Sequence, residues 1–184
     1  MITFSTANHE KDLHGILTLQ KKNLEENITP GELMEQGFVT VKHDLPLLQA
    51  MNTKYQHAIA KNNEQVIGYA LVMLKDFAPN IPVLMSLFDQ IDTLSFRGIF
   101  LKNKDYFVMG QVCIAKSFRG KGVFAGIYQI LKNQMQSDFN YVITSISTRN
   151  SRSLRAHTKV GFQTIHTFFS EINEEWDIVI WDWT

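Results

Sequence analysis

One stretch limits the fold more than any other: a long apolar run that leads through a glycine-containing turn into a helix. The run, Tyr106–Ala115, has no break and is typical of a strand at the centre of a sheet, where both faces are covered. The turn that follows, Lys116–Gly122, contains two glycines and three basic residues. Apolar side chains then recur with helical spacing at Phe124, Ile127, Tyr128, Leu131 and Met135. We therefore expect a sheet with a helix packed on it.

The rest of the chain predicts further strands and helices in mixed order. The predicted strands are Ile2–Ser5, Phe38–Val41, His57–Lys61, Gln65–Leu74, Tyr141–Ile146, Phe162–Glu171 and Trp176–Trp183. The predicted helices are residues 8–25 with Asn8 as N-cap, Leu45–Met51, Val83–Ile91, and Asn150–Val160 ending at Gly161. Residues 75–104, broken by prolines and a glycine, are expected to form an insertion. The order predicts an α/β (α+β) fold, with a mixed central β-sheet flanked by helices in a single domain over residues 1–184.

Composition and charge exclude several classes of protein. Lys plus Arg and Asp plus Glu each number 18 in the 184 residues, and a net charge of zero argues against a nucleic-acid partner. The lone Cys113 cannot form an intrachain disulfide and is expected to be a small buried hydrophobe. The six histidines lack metal-ligand spacing, so we expect no metal site. Neither a signal peptide nor a long apolar segment is visible, which favours a cytoplasmic protein without a membrane partner.

The glycine turn has the features of a phosphate-binding site. Two glycines allow close approach of a ligand to the backbone, and the free amides at a helix start attract anions. A P-loop requires Ser or Thr after Gly-Lys, but Gly122 follows Lys121. The spacing of Gly120, Gly122 and Ala125 fits a dinucleotide fingerprint, yet the next strand ends without the required carboxylate. The alternative is a solvated basic turn whose glycines serve chain geometry alone.

Two segments carry a resemblance to a known family. The run from Val112 to Phe124 looks like the central acyl-CoA-binding motif of the GCN5-related N-acetyltransferase (GNAT) superfamily. The run from Asn150 to Phe162 resembles the second signature of that family, an Asn on a loop followed by a helix ending in Gly-Phe. The two segments occur in the family's order, with a helix and a strand between them, and cover roughly residues 106–165.

The resemblance implies a set of cofactor contacts for acetyl-CoA, or coenzyme A, as co-substrate. Main-chain groups of Val112, Cys113 and Ile114 would pair with the pantetheine arm. Amides of the turn would hold the pyrophosphate, which maps to Arg119, Gly120, Lys121, Gly122, Val123 and Phe124. The Asn150 side chain would contact the cofactor, with Ser153 as a nearby second candidate. The first motif position, commonly Gln or Arg, is Ser117 here.

The catalytic residues depart further from the family pattern. A Tyr commonly lies four residues before the Gly of the second signature and serves as general acid; here His157 takes its place. An imidazole with a pKa of about 6.5 is suited to give a proton to the leaving thiolate. Tyr128 and Tyr141 remain alternatives.

The general base is also missing from its usual place. The central strand lacks the family's Glu, and Gln111 there is expected to orient a water or the substrate. Glu25, Glu26, Asp89, Asp92 or a water chain are the alternatives for the base.

The resemblance predicts an N-acetyltransferase that moves acetyl directly from acetyl-CoA to a primary amine of a small molecule or peptide. The departures from the catalytic pattern keep a second hypothesis open, namely a non-catalytic CoA-binding regulatory module with the same fold. The aromatic residues of the last strand, Trp176, Trp181 and Trp183, favour sheet packing or a contact in a homodimer.

Overall fold

The computed structural model describes residues 1–170 and 172–184, with the backbone alone at residues 34–36 and 82–84. The described strands are β1 (Ile2–Thr6), β2 (Ala58–Asn62), β3 (Gln65–Met73), β4 (Ser95–Phe96), β5 (Ile99–Phe100), β6 (Tyr106–Ile114), β7 (Tyr141–Ser147), β8 (Gln163–Phe169) and β9 (Glu175–Asp182). The α-helices are α1 (Glu10–Asn23), α2 (Pro30–Gln36), α3 (Leu45–Met51), α4 (Pro82–Thr93), α5 (Val123–Met135) and α6 (Ser151–Val160). The chain divides into two compact units, one comprising Met1–Val72 with Met109–Met135 and the other Met73–Val108 with Gln136–Thr184.

The first unit contains β1, β2, nearly all of β3, the later part of β6 and four helices. Strand β1 runs antiparallel to β2, and β2 runs antiparallel to β3 with a bulge after Ala60. Helix α5 lies close to the sheet because β3 has a glycine beneath it. A Cβ at Gly68 would come within 2.7 Å of Ile127 and 2.8 Å of Ile114. This close approach fixes the helix that follows the glycine turn.

The second unit contains the start of β6 with β7, β9 and β8. The first three residues of β6 pair in parallel with β7, from Tyr106 with Tyr141 to Val108 with Ile143. Strand β9 runs antiparallel to both β7 and β8. A short separate hairpin, β4–β5, lies within the stretch expected to be an insertion.

Strand β6 continues from one unit into the other. In order of hydrogen-bonded neighbours the strands read β1-β2-β3-β6-β7-β9-β8, with both parallel and antiparallel pairs. The predicted mixed sheet flanked by helices is confirmed. The helix predicted over residues 8–25 is also confirmed, but it starts later, since the Asp12 carboxylate accepts hydrogen bonds from the backbone amides of Asn8 and His9 at 3.2 Å.

One local prediction is wrong, one helix was not predicted, and one predicted strand reaches beyond the described residues. Phe38–Val41 is no strand: an isolated bridge between Leu24 and Val39 is the pairing described there. Helix α2 is not among the predicted elements, although Thr29 and Glu32 form a capping box ahead of its Pro30 start. Helix α2 has only seven residues, too few to show an apolar stripe. The predicted end of a strand at Glu171 lies outside the described residues, and β8 as described ends at Phe169.

Candidate functional site

The turn between β6 and α5 has an unusual backbone that only glycine adopts easily. Gly120 has φ of +76° and Gly122 has φ of +78°, in the left-handed region that disfavours residues with a Cβ. Both glycines are exposed, and an added Cβ on either would meet no heavy atom within 4 Å. The positive φ angles therefore shape the turn, and the space above it is open to a ligand.

The backbone amides of this turn form a site for an anion. The first helical hydrogen bond of α5 runs from the Gly126 amide to the Gly122 carbonyl at 3.0 Å. The amides of Gly120, Lys121, Gly122 and Val123 come before this bond, in the turn and at the first position of α5, and the first amides of a helix have no acceptor within the helix. Free amides at the positive end of a helix dipole bind phosphate groups well. The amide of Arg119 differs, because it donates to the Lys116 carbonyl at 3.3 Å.

The basic side chains of the turn contribute less positive charge than the sequence implies. The Arg119 guanidinium points inward: its Nε donates to the Ile114 carbonyl at 2.9 Å and its Nη2 to Asn23 Oδ1 at 2.7 Å. Lys116 forms an exposed ion pair with Glu32 of α2. Lys121 is exposed, with its ammonium 5.4 Å from the centre of the Phe118 ring. The anion site therefore rests mainly on backbone amides.

The end of β6 offers main-chain groups beside the turn. Val112, Cys113 and Ile114 are the last residues of this strand before the turn. The Ala115 amide donates to the Ile67 carbonyl at 2.8 Å, which holds the end of β6 on β3. Cys113 is buried, and burial raises the pKa of its thiol to about 12. The expectation that Cys113 is a small buried hydrophobe is confirmed.

Gln111 on β6 makes hydrogen bonds inside the protein. Its Oε1 accepts from Tyr69 Oη at 2.6 Å and Gln20 Nε2 at 2.8 Å, and its Nε2 donates to the Val41 carbonyl at 2.7 Å. Gln20 also accepts from the backbone amide of His43, while its Nε2 lies 2.8 Å from His43 Nδ1. This buried network, which sequence analysis did not find, ties α1 and the segment before α3 to the central strand. The predicted role of Gln111 in orienting a water or substrate stays a prediction.

Helix α6 carries the residues of the second motif. Asn150 is its N-cap, and its buried side chain accepts from the Ser153 amide at 3.1 Å. Gly161 ends the helix in the left-handed conformation, with φ of +119°. The sequence therefore placed both ends of this helix correctly. The cofactor contacts expected for Asn150 and Ser153 stay predictions.

His157 is fully buried on α6, in surroundings that disfavour its predicted role as general acid. Its Nδ1 donates to the Ser153 carbonyl at 2.8 Å, and its ring lies edge-on to Phe162. Burial lowers its pKa to about 4, so the imidazole is neutral near pH 7. With its proton held on Nδ1 by a backbone carbonyl, the ring has none at Nε2 to give.

The remaining candidate acids and bases have varied surroundings. Asp92 is paired with Lys75 and accepts from Tyr106 Oη at 3.2 Å, whereas Asp89 and Glu26 are exposed. Tyr128 is fully buried, and burial raises its pKa. Tyr141 Oη accepts from Lys104 Nζ at 3.1 Å.

Two classes of site receive no support from the described residues. Across 1–170 and 172–184, no three His, Cys, Asp or Glu residues are grouped to hold a metal ion. Nor does any described helix have the length and apolar character needed to cross a membrane.

The backbone amides of the turn at the start of α5 suit an anion. In its fold the chain is similar to solved structures of GNAT-family acetyltransferases. It matches an acetyltransferase of the GNAT family from Streptococcus pneumoniae with a TM-score of 0.62 and 13% identity, over 98% of each chain.

Two further solved structures have the same fold. The NatC complex bound to Gag peptide and CoA matches with a TM-score of 0.65 and 11% identity, over 100% of this chain and 99% of that one. A protein from Salmonella typhimurium, solved with its cofactor acetyl-CoA, matches with a TM-score of 0.63 and 15% identity, over 100% and 94%. No protein-family model and no curated protein matches the sequence. At these identities the likeness establishes the fold.

Proposed function

We propose that this protein is an acetyl-CoA-dependent N-acetyltransferase that transfers acetyl directly to a primary amine. The observation that carries the proposal is the exposed turn at Gly120 and Gly122, whose backbone amides at the start of α5 suit a pyrophosphate. Similar folds solved with CoA and with acetyl-CoA support this choice of coenzyme. Acetyl-CoA then acts as co-substrate, held at the turn by Gly120–Val123.

The pantetheine arm would extend from the turn along β6. Main-chain groups of Val112 and Cys113 lie on this strand shortly before the turn. The Ile114 carbonyl is less available, since it already accepts from Arg119. A backbone amide of this strand would polarise the thioester carbonyl as its oxygen becomes negative.

The reaction needs few side chains. The neutral amine nitrogen attacks the thioester carbon, the carbon–sulfur bond breaks, and the products are an amide and the CoA thiolate. The amine's proton leaves through water, and the thiolate takes up a proton. Because His157 is neutral and buried, the mechanism that we favour uses solvent rather than this imidazole as proton donor.

The acceptor class is a small-molecule or peptide amine. Proteins with this fold include the NatC complex solved with Gag peptide and a spermidine N-acetyltransferase chimera. We also keep as proposals a cytoplasmic location, a single domain with an insertion at 75–104, and a homodimer formed through the aromatic last strand.

The second candidate is a non-catalytic CoA-binding module. It is favoured by the internal hydrogen bonds of Gln111 and the neutral state of His157, which leave two expected catalytic side chains occupied. This candidate predicts coenzyme binding without turnover.

One pair of measurements tests both candidates. Calorimetry should show acetyl-CoA binding with a micromolar dissociation constant, and thiol release should follow when polyamines, lysine analogues and peptides with free N-termini are offered. Binding without thiol release for every amine would favour the module. Absence of heat and of any thermal shift with acetyl-CoA would refute both.

A further inference from the structure

We propose that Asn23 is a positioning residue for the coenzyme: it holds Arg119 inward and so presets the amides of the glycine turn. The inference rests on the proposed function and adds a residue outside both sequence motifs. Asn23 is the last residue of α1, almost a hundred positions from the turn in sequence.

The orientation of the Asn23 amide is determined by its surroundings. Its side chain is buried, and Nδ2 donates to the Leu19 carbonyl one turn back at 2.9 Å. The oxygen Oδ1 must therefore face the other way, where it accepts from Arg119 Nη2 at 2.7 Å. Its backbone carbonyl accepts from the Val39 amide at 3.0 Å, which also fixes the residue. Asn23 is thus a rigid acceptor for one guanidinium nitrogen.

Arg119 in turn connects this acceptor to the strand end. Its Nε donates to the Ile114 carbonyl at 2.9 Å, so one side chain joins β6 and the end of α1. A bridge that uses two nitrogens of the planar guanidinium fixes direction as well as distance. Arg119 directly precedes Gly120, so the bridge holds the residue from which the turn begins.

Holding that residue matters because glycines are conformationally free. The turn has two of them, and ordering its amides around a pyrophosphate costs conformational entropy unless the backbone is already arranged. Helix α5 fixes the far end of the turn, and the Asn23–Arg119–Ile114 bridge fixes the near end. Preorganisation of this kind increases affinity by lowering the cost of binding.

The chain provides a matched control in Asn52. Its Nδ2 donates to the Ala7 carbonyl at 2.9 Å and its Oδ1 accepts from the His57 amide at 2.7 Å. The two asparagine side chains thus make two hydrogen bonds each at the same lengths, but those of Asn52 go to Ala7 and His57 rather than to Arg119. An Asn52→Ala variant reports what losing such a residue does to stability alone.

The test compares dissociation constants for CoA and for pantetheine, which lacks the pyrophosphate together with the adenosine 3′-phosphate beyond it. Asn23→Ala should weaken CoA binding at least fivefold and leave pantetheine binding within twofold, while Asn52→Ala should leave both within twofold. In a double-mutant cycle, Asn23→Ala should have no further effect once Arg119 is Ala. Arg119→Lys, which keeps the charge but not the two-way bridge, should weaken CoA binding as Arg119→Ala does.

The outcomes separate this inference from the proposed function. Wild-type protein that binds no CoA refutes the function. If the wild-type protein binds CoA, three results would each overturn the inference and leave the proposed function standing. They are an unchanged CoA affinity in Asn23→Ala, additive effects of Asn23→Ala and Arg119→Ala, and equal losses of affinity for CoA and for pantetheine. If Asn23→Ala does not fold, Arg119→Lys decides, and full CoA affinity in that variant overturns the positioning role.

Discussion

The substitution Gly122→Ala tests whether the turn's amides bind the coenzyme, and Gly98→Ala is its matched control. Gly122 has φ of +78° and Gly98 has φ of +77°, and an added Cβ on either meets no heavy atom within 4 Å. A side chain in this left-handed region costs roughly 1–2 kcal/mol whatever its surroundings. Both variants should therefore lose about the same stability.

The effect on coenzyme binding should differ between the two variants. At Gly122 the new Cβ would project into the space that we propose for the phosphates, whereas Gly98 lies in the β4–β5 hairpin. Losing one hydrogen bond to a charged group costs about 2 kcal/mol, which corresponds to a roughly thirtyfold weaker affinity. We expect this loss for Gly122→Ala and wild-type affinity for Gly98→Ala.

The assay is titration calorimetry with CoA, together with thermal unfolding of the same preparations. Similar unfolding temperatures for the two variants would show that the strain is matched. Gly122→Ala binding CoA as tightly as Gly98→Ala would refute the assignment of the turn as the phosphate site.

Three other results follow from buried or missing titratable groups. His157→Phe should change turnover by less than threefold, because the neutral imidazole holds its proton against a carbonyl; a tenfold loss at unchanged CoA affinity would restore the general-acid role. Burial lowers the pKa of His43 to about 4 and of His57 to about 3, so their contribution to stability is complete above pH 6.5 and is lost as the pH falls. Together with His157, these histidines should lower the free energy of unfolding by up to about 6 kcal/mol between pH 8 and pH 5. Denaturant titrations that give the same free energy of unfolding at both pH values would contradict this expectation. The pH dependence of kcat/KM should follow the pKa of the acceptor amine. If two amines of different pKa instead show the same rise in kcat/KM near pH 6–7, a side chain of the protein acts as the base.

The fold was predictable where local pattern and long-range packing agree. The apolar run of β6, the helical spacing of α5 and the left-handed Gly161 each indicate their element from a few neighbouring residues. The strand predicted at Phe38–Val41 does not form, because a short apolar run becomes a strand only when a neighbouring strand pairs with it. Here Val39 pairs with Leu24 at a single bridge. Such a partner cannot be read from local sequence.

Some features of the candidate site could also be predicted from local sequence, and others could not. The glycine turn was predictable because a backbone with φ near +77° strongly favours glycine. The network of Gln20, His43 and Gln111 was not, since its members are far apart in the chain and have no spacing in common. Burial also reverses the expectation for His157, because an imidazole that is partly charged in water is neutral once its surroundings exclude solvent.

Arg119 shows why charge in a motif is a poor guide to what the side chain binds. In the sequence it adds to a basic turn, which suggests direct attraction of phosphate. In the structure its guanidinium donates to Ile114 and Asn23, and the groups left for an anion are the uncharged amides that follow it. A fixed array of amides at a helix start provides direction as well as positive potential, whereas a flexible lysine such as Lys121 provides potential alone. The turn is therefore better described as a shaped backbone site supported by an arginine than as a basic patch.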